Sequence, residues 1–384
     1  MPSAQELREL AAHEPGAPVL SALIRTDPRD PQNTHGEPAW PIELRNGLRA
    51  AEEGLEGDEL KALRAAAADM ESWAKALSPA DRGRSVVRFL AADGSFDRVS
   101  TLQLPITRTT VVWDASPYIL PLVAVADRGA PTGLVLVGND SIRLLSWEGG
   151  RVAEVEGGSY EVEFGEWKDY SGFTAGNPGR GVQTGHNVEA IRARTENARE
   201  GFRREAAAAI DRRVGELGWR RIALAGEGSL AADLEAELAQ GTRGRVVGTV
   251  SLNLADHSPA EIAERAEPVL LGLWADRARG FVAEAIERSR AGGAGATGVT
   301  EVSAALTEGR VDRLLIDPYR DYAETVAGNP AAAGLLRGSP ARFFAEKAVE
   351  AAISGGGAVT SLPNEVGEGT ELGAVGGIAA LLRY

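Results

Sequence analysis

Four glycines and a proline fall within ten residues at Gly176-Asn177-Pro178-Gly179-Arg180-Gly181-Val182-Gln183-Thr184-Gly185. No regular element holds such a run, because glycine loses the most backbone freedom on ordering and proline lacks an amide donor. It reads as an exposed loop. Directly after it, Val188, Ile191, Phe202, Ala206, Ala209, Ile210, Val214 and Leu217 recur close to one face at helical spacing, which predicts a helix of about thirty residues, roughly 45 Å long. A loop carried on a long rigid stem is the feature the rest of the chain must accommodate.

The stem also differs electrically from its surroundings. Between Arg180 and Arg221 stand ten arginines and six acids, so the segment is +4 inside a chain of −14. Two readings stand side by side. In the first, the charges form a solvated helix face knitted by neighbours one turn apart. In the second, the stem is a basic arm that enters an anionic cavity, where guanidinium forks match phosphates. On the second reading the candidate RNA contacts are Arg180, Arg192, Arg194, Arg199 and Arg203.

Composition narrows the function classes. A chain of 384 residues exceeds one ordinary core and divides into two or three domains, and 43% hydrophobic with 25% charged residues is the balance of a folded protein. No run approaches eighteen apolar residues, and the N-terminus lacks the basic and apolar blocks of a signal peptide, so a cytoplasmic location without membrane contact is expected. Cysteine is absent, which removes disulfides, thiol nucleophiles and thiolate metal sites. The four histidines, His13, His35, His186 and His257, are scattered and form no metal-binding pair, so neither metal nor cofactor is expected. A net charge of −14 repels nucleic-acid backbone on average, so DNA is not an expected partner and any RNA contact is local.

Alternation of helical and extended patterns predicts an α/β protein of three tandem domains, 1–128, 129–256 and 257–384. The first opens with a helix near Ala4 to Ala12, a strand Val19–Arg25, and amphipathic helices over Pro41–Glu53 and Asp58–Leu77. Strands follow at Ser85–Ala91, Val99–Leu104 and Thr109–Trp113, then a helix with Ser116 as N-cap and Pro117 in its first turn. The second combines strands at Gly133–Val137, Ser141–Trp147 and Arg151–Val155, the loop and stem, and a strand, helix and strand over 221–250, giving a mixed sheet beside a long helix. The third starts at the Ser258-Pro259 cap with a helix to Arg290. A flexible break at Ala291–Gly295, a helix at Val299–Leu306, a strand at Val311–Ile316, a helix at Pro340–Ile353, and strands at Ala358–Leu362 and Ile378–Tyr384 complete a small three-layer α/β/α sandwich.

Other local signals have plain explanations. Gly226-Glu227-Gly228-Ser229 lies between a strand and a helix, as phosphate loops do, yet lacks the lysine and spacing of one, so an ordinary turn is favoured. His186 beside the glycine loop reads as a capping or solvent-facing residue before it reads as a general base. No serine or threonine sits in a recognisable nucleophile elbow.

With the loop and C-terminus read, a family likeness emerges. Arg180-Gly181-Val182-Gln183, followed by an arginine-rich helix, resembles the GGQ loop and stem of archaeal and eukaryotic-type class-1 peptide release factors. Glu301-Val302-Ser303-Ala304-Ala305-Leu306-Thr307-Glu308-Gly309-Arg310-Val311-Asp312-Arg313-Leu314-Leu315 and the closing Gly376-Gly377-Ile378-Ala379-Ala380-Leu381-Leu382-Arg383-Tyr384 resemble the opening and closing pieces of that family's third domain, in the form found in its bacterial branch. That branch includes Balon-like ribosome hibernation and rescue factors. The resemblance implies a Pelota- and L7Ae-like third domain that docks a translational GTPase such as elongation factor Tu, and a second domain that reaches the peptidyl-transferase centre from the ribosomal A site.

Carried over by position, Gly181 matches the first glycine of the loop, Val182 the second and Gln183 the glutamine. Val182 departs from the pattern: a β-branched residue disfavours positive φ, so the Gln183 N–H that would steady an oxyanion is less well aimed. The lysine- and cysteine-containing motifs that read stop codons have no counterpart in residues 1–128. The resemblance therefore implies a ribosome-binding factor without obligatory chemistry; alternatives are a peptidyl-tRNA hydrolase with Gln183 as its working residue, and a non-ribosomal binding protein of the same fold.

Overall fold

A computed structural model describes residues 2–13, 16–34, 37–162, 184–250, 257–337, 339–362 and 371–384. The chain clusters into two compact units, one formed by Met1–Gly129 with Trp274–Tyr384 and the other by Ala130–Leu273. Among the described residues the strands form three sheets, and the protein is mixed α/β.

The first sheet takes its hydrophobic pattern from its central strand. Helix α1 (Ala4–Ala11) precedes strand β1 (Val19–Arg25), whose first six residues are all buried. Helices α2 (Trp40–Ala51) and α3 (Gly57–Ala76) follow, then β2 (Ser85–Ala91), β3 (Asp97–Leu102) and β4 (Thr110–Asp114), in the spatial order β3-β2-β1-β4. Leu20, Ala22 and Ile24 share one face of β1 by the two-residue period, and Leu44 and Leu48 of α2 with Leu63 and Met70 of α3 pack on it.

The last piece of this sheet's chain departs from the sequence expectation. Helix α4 spans Leu120–Arg128, so Pro121 rather than Pro117 stands in its first turn, and Ile119 rather than Ser116 is the N-cap residue. The reason lies far along the chain. The Glu346 carboxyl group accepts the N–H groups of Ile119 and Leu120 at 2.6 and 2.9 Å, and so caps α4 from outside its own sequence. Ser116 donates instead to Glu350 at 3.1 Å and accepts from Lys347 at 2.9 Å. Burial pushes the Glu346 carboxyl up to about 8, reinforced by the nearby Glu350 and opposed by the two N–H donors.

In the unit Ala130–Leu273, β5 (Thr132–Val137), β6 (Ser141–Glu148) and β7 (Arg151–Glu161) form an antiparallel meander. Strand β7 runs six residues past the expected end at Val155. Helix α5 (Thr184–Glu216) leads to β8 (Arg221–Gly226), α6 (Gly228–Glu237) and β9 (Val246–Val250), giving the order β7-β6-β5-β8-β9 with β5, β8 and β9 parallel. Two glycines permit close approach. A Cβ on Gly133 would lie 2.3 Å from the buried Trp219 indole, and one on Gly226 would lie 2.3 Å from the Val137 carbonyl oxygen. The Gly226–Ser229 stretch is thus a strand-to-helix turn with a packing reason for its first glycine.

Helix α7 (Pro259–Arg290) precedes the third sheet, built from β10 (Gly295–Thr297), β11 (Val311–Ile316), β12 (Ala358–Ser361) and β13 (Ile378–Leu382) in the order β10-β13-β11-β12. The helices and strands of this stretch are α8 (Gly298–Thr307), β11 (Val311–Ile316), α9 (Pro330–Leu336), α10 (Phe344–Ser354), β12 (Ala358–Ser361) and β13 (Ile378–Leu382). The expected break at Ala291–Gly295 ends one residue early, because Gly295 already pairs with Leu381. Ala278, Val282, Ala285 and Ile286 of α7 pack on Leu315, Ala379 and Leu381. The alternate residues Leu314, Ile316, Ile378 and Ala380 are also buried, and α8 and α10 lie against β13, β11 and β12. Helices on both faces make the three-layer sandwich.

Candidate nucleic-acid interface

Helix α5 owes its stability to local propensity and to one apolar stripe. Four consecutive alanines, Ala206–Ala209, sit in its second half, and no proline interrupts its 33 residues. Phe202, Ala206, Ile210 and Val214 recur every four residues and enter the same core as Val135, Ile222 and Leu224. Burying Phe202, Ile210 and Val214 contributes about 1.5–3 kcal/mol each. The sequence stripe is therefore real over this half of the helix. Its proposed last member is not on it: Leu217 follows the helix end and is 37% exposed.

The glycine loop itself, with Arg180, Gly181, Val182 and Gln183, lies outside the described residues. Arg192 falls within α5. Arg194 is exposed on the helix. Arg199 is held by Asp140, in the turn between β5 and β6, through Nε and Nη2 at 3.0 Å each. Arg203 meets Glu196 at 3.4 Å, and Arg204 pairs with Glu200 one turn back and lies 3.9 Å from Glu237. Farther along, Arg213 donates to the Glu156 carbonyl at 2.9 Å and to Glu216 at 3.2 Å. Several stem arginines thus carry an acidic neighbour while their side chains stay partly exposed.

Magnitude decides what that pairing means. The Arg199 and Asp140 side chains are 31% and 45% exposed, and such ion pairs are worth about 0.2–1 kcal/mol. A guanidinium so weakly held can exchange its carboxylate for another anion at small cost. Asp140 was invisible to sequence reading as a member of this site, because it lies 59 residues from Arg199 with no local pattern joining them. Among the described residues no cluster of His, Asp or Glu could hold a metal ion, and no helix is long and apolar enough to cross a membrane.

The stretch with the mixed sheet and long arginine-rich helix and the stretch with the three-layer sandwich each match a release-factor profile. The profile of Bacterial archaeo-eukaryotic release factor family 10 matches residues 117–270, which hold β5–β9 and α5, and that of eRF1 domain 3 matches residues 281–384. The chain is thus release-factor-like over both matched stretches. It is 27% identical over 228 residues to the uncharacterized protein YocB of Bacillus subtilis (strain 168), covering 58% of this chain and 82% of YocB. Among solved structures, the archaeal translation termination factor aRF1 is 17% identical, with 99% of this chain and 97% of that one covered and a TM-score of 0.26. Dom34 of S. cerevisiae, a translation termination-like factor, is 14% identical, with 78% and 80% covered and a TM-score of 0.41.

Proposed function

We propose that the protein binds the ribosome through its second domain and occupies the A site of idle or stalled ribosomes in the cytoplasm. The observation that carries this is a +4 stem within a −14 chain, lying inside the stretch that matches the release factor family. Repulsion by the rest of the molecule confines RNA contact to that arm, so binding is selective for a cavity that admits it. Division into domains 1–128, 129–256 and 257–384 gives the arm its own sheet, and the eRF1-type third domain supplies the surface for a translational GTPase such as elongation factor Tu.

The test is co-sedimentation with vacant 70S ribosomes. Wild type is compared with a variant carrying Arg192, Arg194 and Arg203→Glu, which leaves the Arg199–Asp140 tie intact. Wild type should pellet and the variant should lose at least ten-fold in affinity. Equal pelleting of both, or no pelleting even with elongation factor Tu present, would overturn the proposal.

Retention of Gln183 at the glutamine position of the loop favours one further reading, peptidyl-tRNA hydrolysis on stalled ribosomes. Loss of peptide release in Gln183→Ala with ribosome binding unchanged would support it. No release by wild type on peptidyl-tRNA complexes would remove it.

A further inference from the structure

The acidic excess of this chain consumes most arginines of the first sheet's neighbourhood. Arg64 meets Glu52 at 2.8 Å, Arg84 meets Asp27 at 2.9 Å, and Arg88 lies between Asp69 and Asp97 at 2.7 and 2.8 Å. Two are different. Arg45 forms no ion pair among the described residues, and Arg82 forms none either, its Nε being tied to the Ser78 carbonyl at 3.3 Å. Both line the same cleft of about 330 Å³ between the start of α2 and the end of α3. Lys75 is a third cation there, loosely matched by Glu71 at 3.6 Å.

The cleft is amphipathic, and its cations are placed in advance. Leu77 and the small exposed edges of Trp40 and Leu44, both otherwise buried in the core, form its apolar side, Glu71 lines it as well, and the Arg82 guanidinium lies 5.5 Å from the centre of the Trp40 ring. With Nε donating to the Ser78 carbonyl, the terminal nitrogens of Arg82 remain for an anionic acceptor. Helices form both walls, and their backbone groups are bonded internally. An extended peptide would find no backbone partners there, whereas a compact anion with a flat apolar body would be held on both sides.

We infer that this cleft binds a nucleotide unit, its phosphate on Arg45, Arg82 and Lys75 and its base against Leu77 and the exposed edge of Trp40. The volume lies at the lower end of small-ligand sites, where a single nucleotide falls. The shared chemistry is a phosphate next to a planar base, and it is supplied by a free nucleotide or by one unpaired residue of an RNA strand. The inference does not rest on ribosome binding by the stem.

Calorimetric titration of the full chain at low salt tests it, using AMP, adenosine, inorganic phosphate and hexaadenylate RNA as probes. AMP, the RNA or both should bind saturably, at least ten-fold tighter than adenosine or phosphate. Arg45→Glu with Arg82→Glu should weaken that binding at least ten-fold, while Arg49→Glu, on α2 but outside the cleft, leaves it unchanged. Should the charge reversals disturb folding, Arg45→Gln with Arg82→Gln supplies the same comparison. Binding of the RNA alone assigns the site to a strand; comparable binding of AMP assigns it to a free nucleotide. No saturable binding of either, inorganic phosphate binding as tightly as AMP, or unchanged binding in the cleft variants would overturn the inference.

Discussion

Glu346 shows how one side chain is set against its own charge. Its carboxyl accepts two N–H groups at the start of α4, which favour the ionised form, while complete burial disfavours it more strongly. The folded group holds its proton up to about 8, above the ordinary value of 4.5, so folding takes up a proton between those values and stability falls as pH rises from about 5 to 8. Glu346→Gln should flatten that decline when Tm is followed from pH 5 to pH 9; a variant slope equal to wild type would show that Glu346 is not its source. At Asp140 the expected sign is opposite to that of a positioning residue. Asp140→Asn should cost under about 1 kcal/mol of stability in urea unfolding and raise ribosome affinity by releasing Arg199, whereas a fall in affinity would mean that the pair presents the guanidinium. Neither residue could be read from sequence. Glu346 on a short helix looks like any solvated glutamate, and its partners lie 227 and 226 residues away.

Helix α5 was legible for the converse reason, since its stripe at Phe202, Ala206, Ile210 and Val214 is written in one window of sequence. Ile210 is fully buried, so Ile210→Ala should destabilise the unit Ala130–Leu273 by about 2–5 kcal/mol in chemical denaturation. A change below about 1 kcal/mol would mean that the stem is not anchored through this stripe. The exposed side of the same helix carries the other expectation. If three stem arginines meet phosphates, affinity for the ribosome should drop by roughly 20- to 40-fold between 50 and 200 mM salt, and a flat salt response would remove the arm from the interface. The sequence located the start of α4 wrongly because Ser116-Pro117 is a good local cap signal and lost to a distant carboxylate. The Arg45 and Arg82 cleft escaped for a similar reason: its walls come from two helices, and Trp40 stacks on a residue beyond the second of them.

At the level of the molecule, the sequence supplied three sheets and their helical partners, but not the grouping of the first stretch with the last. The unit formed by Met1–Gly129 and Trp274–Tyr384 is discontinuous in sequence, and the Ala130–Leu273 unit is not. An isolated 130–273 fragment should therefore unfold in one cooperative transition, while an isolated 1–129 fragment should melt well below the full chain because α4 has lost its cap. Equal stability of 1–129 in the two settings, read by circular dichroism, would contradict this. The same discontinuity sets a clock during synthesis. Leu120 leaves the ribosome 226 residues before Glu346, and at about 5–20 residues per second that interval lasts roughly 10–45 s. Within the third sheet β13 is made last yet lies between β10 and β11, so until it emerges β10 has no partner strand and β11 has only β12. Through that interval the nascent chain carries an uncapped helix and an unfilled sheet, which makes the earliest-made region among the last to finish folding.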